Sequence, residues 1–503
     1  MVKKKFGRYL PVSQRIASQT ESNGHTSNRY SKTSRRISTN ATQPRTRDNL
    51  VRLPFFGGGV TQLLRYLRPM DRQAGKGRRS AVRSALDENY VSYRGDQLWK
   101  LNFNGTRRRA DSSPDAQFNQ FVEEFGSEVW NVNQDGIDIL VEHKNVEAAQ
   151  QYMEKTGFSY NIMIDDIETA IDDTYTDVVD SETDNPSTSA NYSLPWLTRE
   201  GSLLTWRRYH DQGDIQQFMQ NILETHSDLT EIIQIGLTRN KRPLEVIRVS
   251  NGNPKNWAVF VDAGMQARDW LSPAALTYAI SKLTWLWSQG RAEKTMRHID
   301  WYFLPLANPD GYQYSRLTDR LWTKNRNYDS DSGCYGVNLD RNFEYAWGQA
   351  GATTNPCKNL YQGVKSFSEA ETRAMRNFLL GMRDYLGAYV SFGGYGQTIT
   401  YPWGDADYVT PNQRELRYTA RQAMLNFRRL NHAEYSLGSS YRQKLARPGN
   451  SADWVQDRIE PHFVYNVFLK DQGRYGYLMP PQYILESGEE AFEFLRTIAQ
   501  QLQ

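Results

Sequence analysis

Residues 258–276 read AVFVDAGMQARDWLSPAAL. An apolar run ends at a Gly-containing polar loop, and the helical stretch SPAALTYAISKLTWLWSQ (272–289) follows. A strand-length run with little polar alternation reads as covered on both faces, and the helix after it as one of the covers. The same pattern recurs outward. Strand-like runs are EIIQIGL (231–237), LEVIRVS (244–250), IDWYFLPLA (299–307), AYVSFGG (388–394) and YNVFLKD (465–471), between amphipathic stretches SEAETRAMRNFLLGMRDYL (368–386) and ELRYTARQAMLNFRRL (415–430). The expected class for 198–503 is therefore α/β, with a mostly parallel, doubly covered mixed sheet. Ligands in such sheets gather at the carboxyl ends of the strands, which draws attention to the loop that follows this run.

Upstream, residues 89–173 alternate short strands (QLWKLNF, EVWNVN, GIDILVEH) with helical runs (PDAQFNQFVEEF, NVEAAQQYMEKTG, IDDIETAID), which reads as a small α+β module. An acidic, Ser/Thr/Asn-rich stretch without periodicity is assigned as a linker over 174–197. Residues 1–85 read as a disordered basic tail. Residues 1–80 hold eighteen Lys or Arg against three acids, so a net charge of +4 leaves the remainder at about −11. This tail lacks aromatic interleaving and any nucleic-acid-binding motif, so nucleic acid is excluded as a partner. No run of 18 apolar residues predicts a membrane span, and the opening MVKKKFGRYLPVSQRIASQ lacks the apolar core of a signal peptide. The sequence has two cysteines, Cys334 and Cys357. By themselves they read more readily as two free thiols than as a bridge. The triplets at Asn40, Asn104 and Asn191 are candidate glycosylation sites.

Six further segments occur in order: FLPLANPDGYQYS (303–315), LWTKNRN (321–327), GVNLDRNFEYAWG (336–348), YPWGD (401–405), ADW (452–454) and DQGRYGYLMPP (471–481). Together with 258–276 they resemble the zinc carboxypeptidases of the A and B type over about 198–503. The 89–173 module resembles that family's inhibitory prosegment. The resemblance implies a carboxypeptidase-like fold and a disulfide between Cys334 and Cys357. A bridge implies a secreted or extracellular protein; a cytoplasmic protein with both thiols reduced is the alternative.

The same resemblance marks where the chemistry departs from the family. The His and Glu that supply two zinc ligands are matched by Gln266 and Asp269, and the third ligand, a His, by Gly393. The catalytic Glu is matched by Phe468, which cannot take a proton, and the phenolic Tyr by Leu445. Losing a general base costs about 100- to 10,000-fold, and losing the metal also removes the activated water. No His in the chain sits in an HExxH or HxxE spacing. The implied cofactor is none, although the family uses zinc.

Arg268, Arg326, Arg341 and Tyr395 match substrate-binding residues, whereas Asp340 stands for an Asn and either repels an anion or pairs with Arg341. Ala452 matches the specificity position and implies an uncharged pocket. The arginines either hold a C-terminal carboxylate or persist in internal ion pairs, for example with Asp269 and Asp340. The expectation is an inactive carboxypeptidase-like protein that binds C-terminal peptides or a protein partner. Two alternatives stay open: an active metallocarboxypeptidase, and a structural scaffold that retains its prosegment.

Overall fold

The structure, a computed structural model, describes residues 90–103, 120–133, 135–177, 204–443, 445 and 447–502. The predicted basic tail, nearly all of the linker and the three Asn-X-Ser/Thr sites lie outside the described residues.

The small domain is a four-stranded antiparallel sheet of order β2-β3-β1-β4, built from β1 (Gln97–Asn102), β2 (Gly126–Val132), β3 (Gly136–Val141) and β4 (Tyr160–Ile164). Helices α1 (Val146–Thr156) and α2 (Ile167–Asp173) pack with it, and the described residues 120–124 are also helical. Helix α1 stops at Gly157, whose φ of 70° lets its N–H cap the Met153 carbonyl. Side chains alternate across the sheet. Trp99, Leu101, Ile139 and Val141 pack with Phe121, Phe125 and α1 in the domain's own core. Leu98 and Leu140 point the other way, with Trp130, Ile164, Ile167 and Ile171, and this second layer is closed by Leu321, Tyr395, Tyr477 and Leu478 of the large domain. The sequence reading overlooked β4, whose residues are mostly half-buried or exposed. It also started the linker too early. Thr174 is buried, and Tyr175 packs edge-on against Trp270 at 5.1 Å, so the packed module runs past Asp173.

The large domain has the expected mixed sheet, of order β11-β10-β12-β9-β7-β8-β6-β5. Its strands are β5 (Thr230–Leu237), β6 (Pro243–Val249), β7 (Trp257–Asp262), β8 (Ile299–Leu304), β9 (Leu386–Gly393), β10 (Thr398–Tyr401), β11 (Ser436–Ser439) and β12 (Phe463–Phe468). The central run β12-β9-β7-β8 is parallel; antiparallel pairs flank it. Its longer helices are α3 (Gln212–Thr225), α4 (Leu271–Ser288), α5 (Pro309–Leu317), α6 (Ala370–Gly381), α7 (Gln413–Asn431), α8 (Ser451–Arg458) and α9 (Ile484–Gln501).

Two cores explain why these strands read as unbroken apolar runs. On one face Val259, Val261, Trp301, Phe303, Val390 and Val467 meet α4, α7 and α9. On the other, Ala258, Phe260, Tyr302, Leu304, Tyr389 and Val464 meet α6 and α8. Each large apolar side chain so enclosed stabilises by about 1.5–3 kcal/mol, so a charged residue at either set of positions would be strongly destabilising. Cys334 and Cys357 are joined in a disulfide, with Cα atoms 5.2 Å apart. Among the described residues no helix is long and apolar enough to cross a membrane.

Candidate functional site

The carboxyl ends of β7, β9 and β12 bring Gln266, Asp269, Gly393 and Phe468 around one small cavity, with Asp340 and Arg447. Adjacency follows from register: Gly393 and Phe468 are partners across the parallel β9–β12 pair. A Cβ built on Gly393 would stand 3.5 Å from Phe468 Cδ1 and 3.6 Å from its Cε1. The Phe468 ring thus stands against the place a side chain at 393 would enter, and it carries the Arg447 guanidinium over its face at 4.5 Å.

The polar groups here are committed to the protein. Gln266 Oε1 accepts a hydrogen bond from the Tyr477 hydroxyl at 3.0 Å. Asp269 Oδ2 accepts from Gly394 N (2.6 Å) and Ser272 Oγ (2.7 Å), and Oδ1 from Ser272 N (3.2 Å). These bonds tie the start of α4 to the end of β9, while burial pushes the Asp269 carboxyl above its ordinary range. Gly394 is required, because a Cβ there would lie 2.9 Å from Asp269 Oδ1. The remaining cavity is about 20 Å³, room for roughly one water.

A catalytic zinc needs three protein donors and an open position. The three positions supply an amide oxygen, a carboxylate with both oxygens hydrogen-bonded, and no side chain, a set that does not fit that ion. Among the described residues no group of three or more His, Cys, Asp or Glu is placed to hold a metal.

The three sequence-predicted arginines go to different partners. Arg268 Nη1 donates to Glu128 Oε1 of the small domain at 2.7 Å, not to Asp269, which corrects one of the ion pairs considered from sequence. Its guanidinium also lies 4.0 Å from the Tyr477 ring and 5.5 Å from Trp130. Arg341 donates to the carbonyls of Gly351 (3.0 Å) and Asp340 (2.8 Å) and lies 3.4 Å from Asp340 Oδ2; burial lowers it to about 10. Arg326 is surrounded by aromatic rings, 3.6 Å from Tyr314, 4.3 Å from Tyr335 and 4.6 Å from Trp322. Tyr395, 3% exposed, donates to Asp138 Oδ2 of the small domain at 2.8 Å. Leu445 is half-buried, and Ala452 belongs to the core with Trp454 rather than to an open pocket.

Sequence reasoning missed two arginines. Arg447 holds Asp340 Oδ2 at 2.9 Å, so Asp340 is shared between two cations. Arg320, 1% exposed, donates to the carbonyls of Arg268 (2.7 Å) and Tyr477 (2.8 Å) and lies 3.5 Å over Trp270, joining the two loops that carry the site. Both stand near a quoted segment, Arg320 directly before LWTKNRN and Arg447 shortly before ADW.

The fold and the site's strand-end position define a carboxypeptidase-type α/β domain with a small α+β domain docked over the same strand ends. Residues 215–494 match the family model described as zinc carboxypeptidase, and 116–174 match the carboxypeptidase activation peptide. The chain belongs to the zinc carboxypeptidase M14 family. It is 30% identical over 297 residues to carboxypeptidase B of Astacus astacus, covering 59% of this chain and 97% of that one. It is 29% identical over 368 residues to carboxypeptidase B2 of Rattus norvegicus, 72% of this chain and 83% of that one. The crystal structure of thrombin activatable fibrinolysis inhibitor is similar with a TM-score of 0.69 at 26% identity, over 82% of this chain and 99% of that one.

Proposed function

We propose that this chain is a catalytically inactive member of its family that binds C-terminal peptides or a protein partner instead of hydrolysing peptides. The observation that carries this reading is the set Gln266, Asp269, Gly393 and Phe468. A general base is absent from the last position, and the metal donors of the first three are missing or already hydrogen-bonded. The disulfide supports a secreted location.

A specific observation favours a second form of this reading, in which the small domain is retained as a structural part. Arg268 and Tyr395, two of the groups a peptide would use, are engaged by Glu128 and Asp138. Peptide capture in the groove then requires the small domain to leave, whereas partner binding elsewhere does not.

The test is zinc content by elemental mass spectrometry, together with release of C-terminal residues from a peptide panel, on the full chain before and after trypsin, with an active family member alongside. Near-zero zinc and no release after cleavage support the proposal. One tightly held zinc per chain with turnover would sink it and restore the metallocarboxypeptidase alternative.

A further inference from the structure

Helix α7 buries Leu416, Thr419, Ala420, Ala423 and Phe427 against the core. At about 100° per residue these fall on one side of the helix. The opposite sector, roughly 120° wide, holds Arg414, Arg417, Arg421, Arg428 and Arg429 with Tyr418 and Leu425 between them, and all of these are exposed. The one acid of α7, Glu415, lies outside that sector. From Arg414 to Arg429 the row runs about 22 Å along the helix axis.

Helix stability does not account for this row. Arg414 with Arg417, and Arg417 with Arg421, repel one another at spacings of three and four residues. Arg414 also adds a cation to the first turn, where the helix dipole disfavours one; only Arg428 and Arg429, in the last turn, are favoured by it. Nor does ion pairing account for it. Among the described residues Arg414, Arg417, Arg421 and Arg429 have no ion pair, and Arg428 reaches only Glu434, at 3.8 Å, with the two side chains 71% and 74% exposed. The row stands on a body of opposite sign, since residues 81–503 carry about −11.

The shape and chemistry of the row select its partner. A guanidinium is planar, weakly hydrated and presents five donors as a fork, which suits oxyanions better than a lysine ammonium does. Every cation in the sector is an arginine. Tyr418 and Leu425 are the only apolar side chains among them, too little surface for the desolvated core of an interface with a folded protein. A straight row of cations fits a linear polyanion. The Cys334–Cys357 bridge suits an oxidising, extracellular setting, where such polymers carry sulfate.

We propose that the exposed face of α7 binds a sulfated polysaccharide lying along the helix. The choice of sulfate rests on the secreted location proposed above. The surface itself lies away from the groove and does not depend on the chain being inactive.

The test is calorimetric titration of the full chain with a heparin hexasaccharide, with the desulfated hexasaccharide as control. Saturable binding of the sulfated sugar alone is expected. The basic residues of 1–80 attract the same probe, so two variants that each lose three charges are compared. Arg414→Gln/Arg417→Gln/Arg421→Gln should weaken binding about tenfold and lower the slope of log affinity against log salt by about 2. Gln forms helix about as well as Arg, so this variant preserves the fold. Lys255→Gln/Lys294→Gln/Lys358→Gln, exposed positions outside α7, should change affinity less than about twofold. Arginine modification by phenylglyoxal, read by peptide mass spectrometry, gives a local readout, and the hexasaccharide should protect Arg414, Arg417 and Arg421. Equal losses in the two variants, absence of that protection, equal binding of the desulfated sugar, or stronger protection by a DNA duplex than by the hexasaccharide overturns the proposal.

Discussion

Glu128 Oε1 lies 2.7 Å from Arg268 Nη1, an ion pair between the small domain and the loop joining β7 to α4. The two side chains are 15% and 4% exposed. Burial pushes the Glu128 carboxyl up while Arg268 pulls it down, so each charge is tolerated there chiefly because the other is present.

Glu128→Ala should therefore destabilise the chain by about 3 kcal/mol, because it strands the Arg268 charge in a protein interior. Glu128→Ala/Arg268→Ala should cost clearly less than the sum of Glu128→Ala and Arg268→Ala. Urea unfolding of the two single variants and the double supplies the cycle. A coupling below roughly 0.5 kcal/mol would show that the pair does not hold the small domain in place.

Rebuilding the metal site needs four substitutions rather than three. In Gln266→His/Asp269→Glu/Gly393→His, the new imidazole at 393 must grow past a ring that is already 3.5 Å from its Cβ. Dialysed against zinc, that variant should retain little metal. Adding Phe468→Glu should raise the content toward one zinc per chain, by supplying both space and an anionic neighbour. Equal zinc in the two variants would mean that Phe468 is no obstacle.

The disulfide closes a span of 23 residues around the GVNLDRNF segment. Cutting it with Cys334→Ser/Cys357→Ser should lower stability by about 3 kcal/mol, the loop-closure entropy of an unfolded chain of this span. Thermal unfolding of both forms under non-reducing conditions measures the difference. Identical midpoints would place the constraint elsewhere.

The central strands were legible because their residues are buried on both faces, which leaves apolar runs with no alternation to misread. Strands β4, β10 and β11 were not. They have four or five residues each, and SLGS of β11 carries a single large apolar side chain. At the site, motif matching located Gln266, Asp269, Gly393 and Phe468, since each is identified by its neighbours in the chain. Their partners were out of reach of that reasoning. Glu128 is 140 residues from Arg268, and Arg447 is 107 from Asp340, so the pairings exist only once β7, β9 and the small domain are assembled. An arginine in a motif does not announce whether it faces a ligand or a distant carboxylate of its own chain.

The dependence of stability on pH follows from carboxyls the sequence reading passed over. Asp262 at the end of β7, Glu371 and Asp453 are buried, and burial holds each up to about 7. An unfolded carboxyl titrates near 4, so between those values the folded chain keeps a proton that the unfolded chain has released. The stabilisation is complete below about pH 4 and is lost as pH rises through about 7. Asp262 is the clearest probe. Ser391 Oγ donates to its Oδ1 at 2.8 Å, and the Tyr389 hydroxyl, beside the same carboxyl, pulls it down against the larger effect of burial. Asn at this position keeps the shape and the Ser391 bond but cannot ionise. Measured by urea unfolding, Asp262→Asn should lose roughly 3 kcal/mol less than the parent between pH 5 and pH 8, at about 1.4 kcal/mol per unit. An unchanged slope would mean that Asp262 is already ionised at pH 5 with its charge compensated.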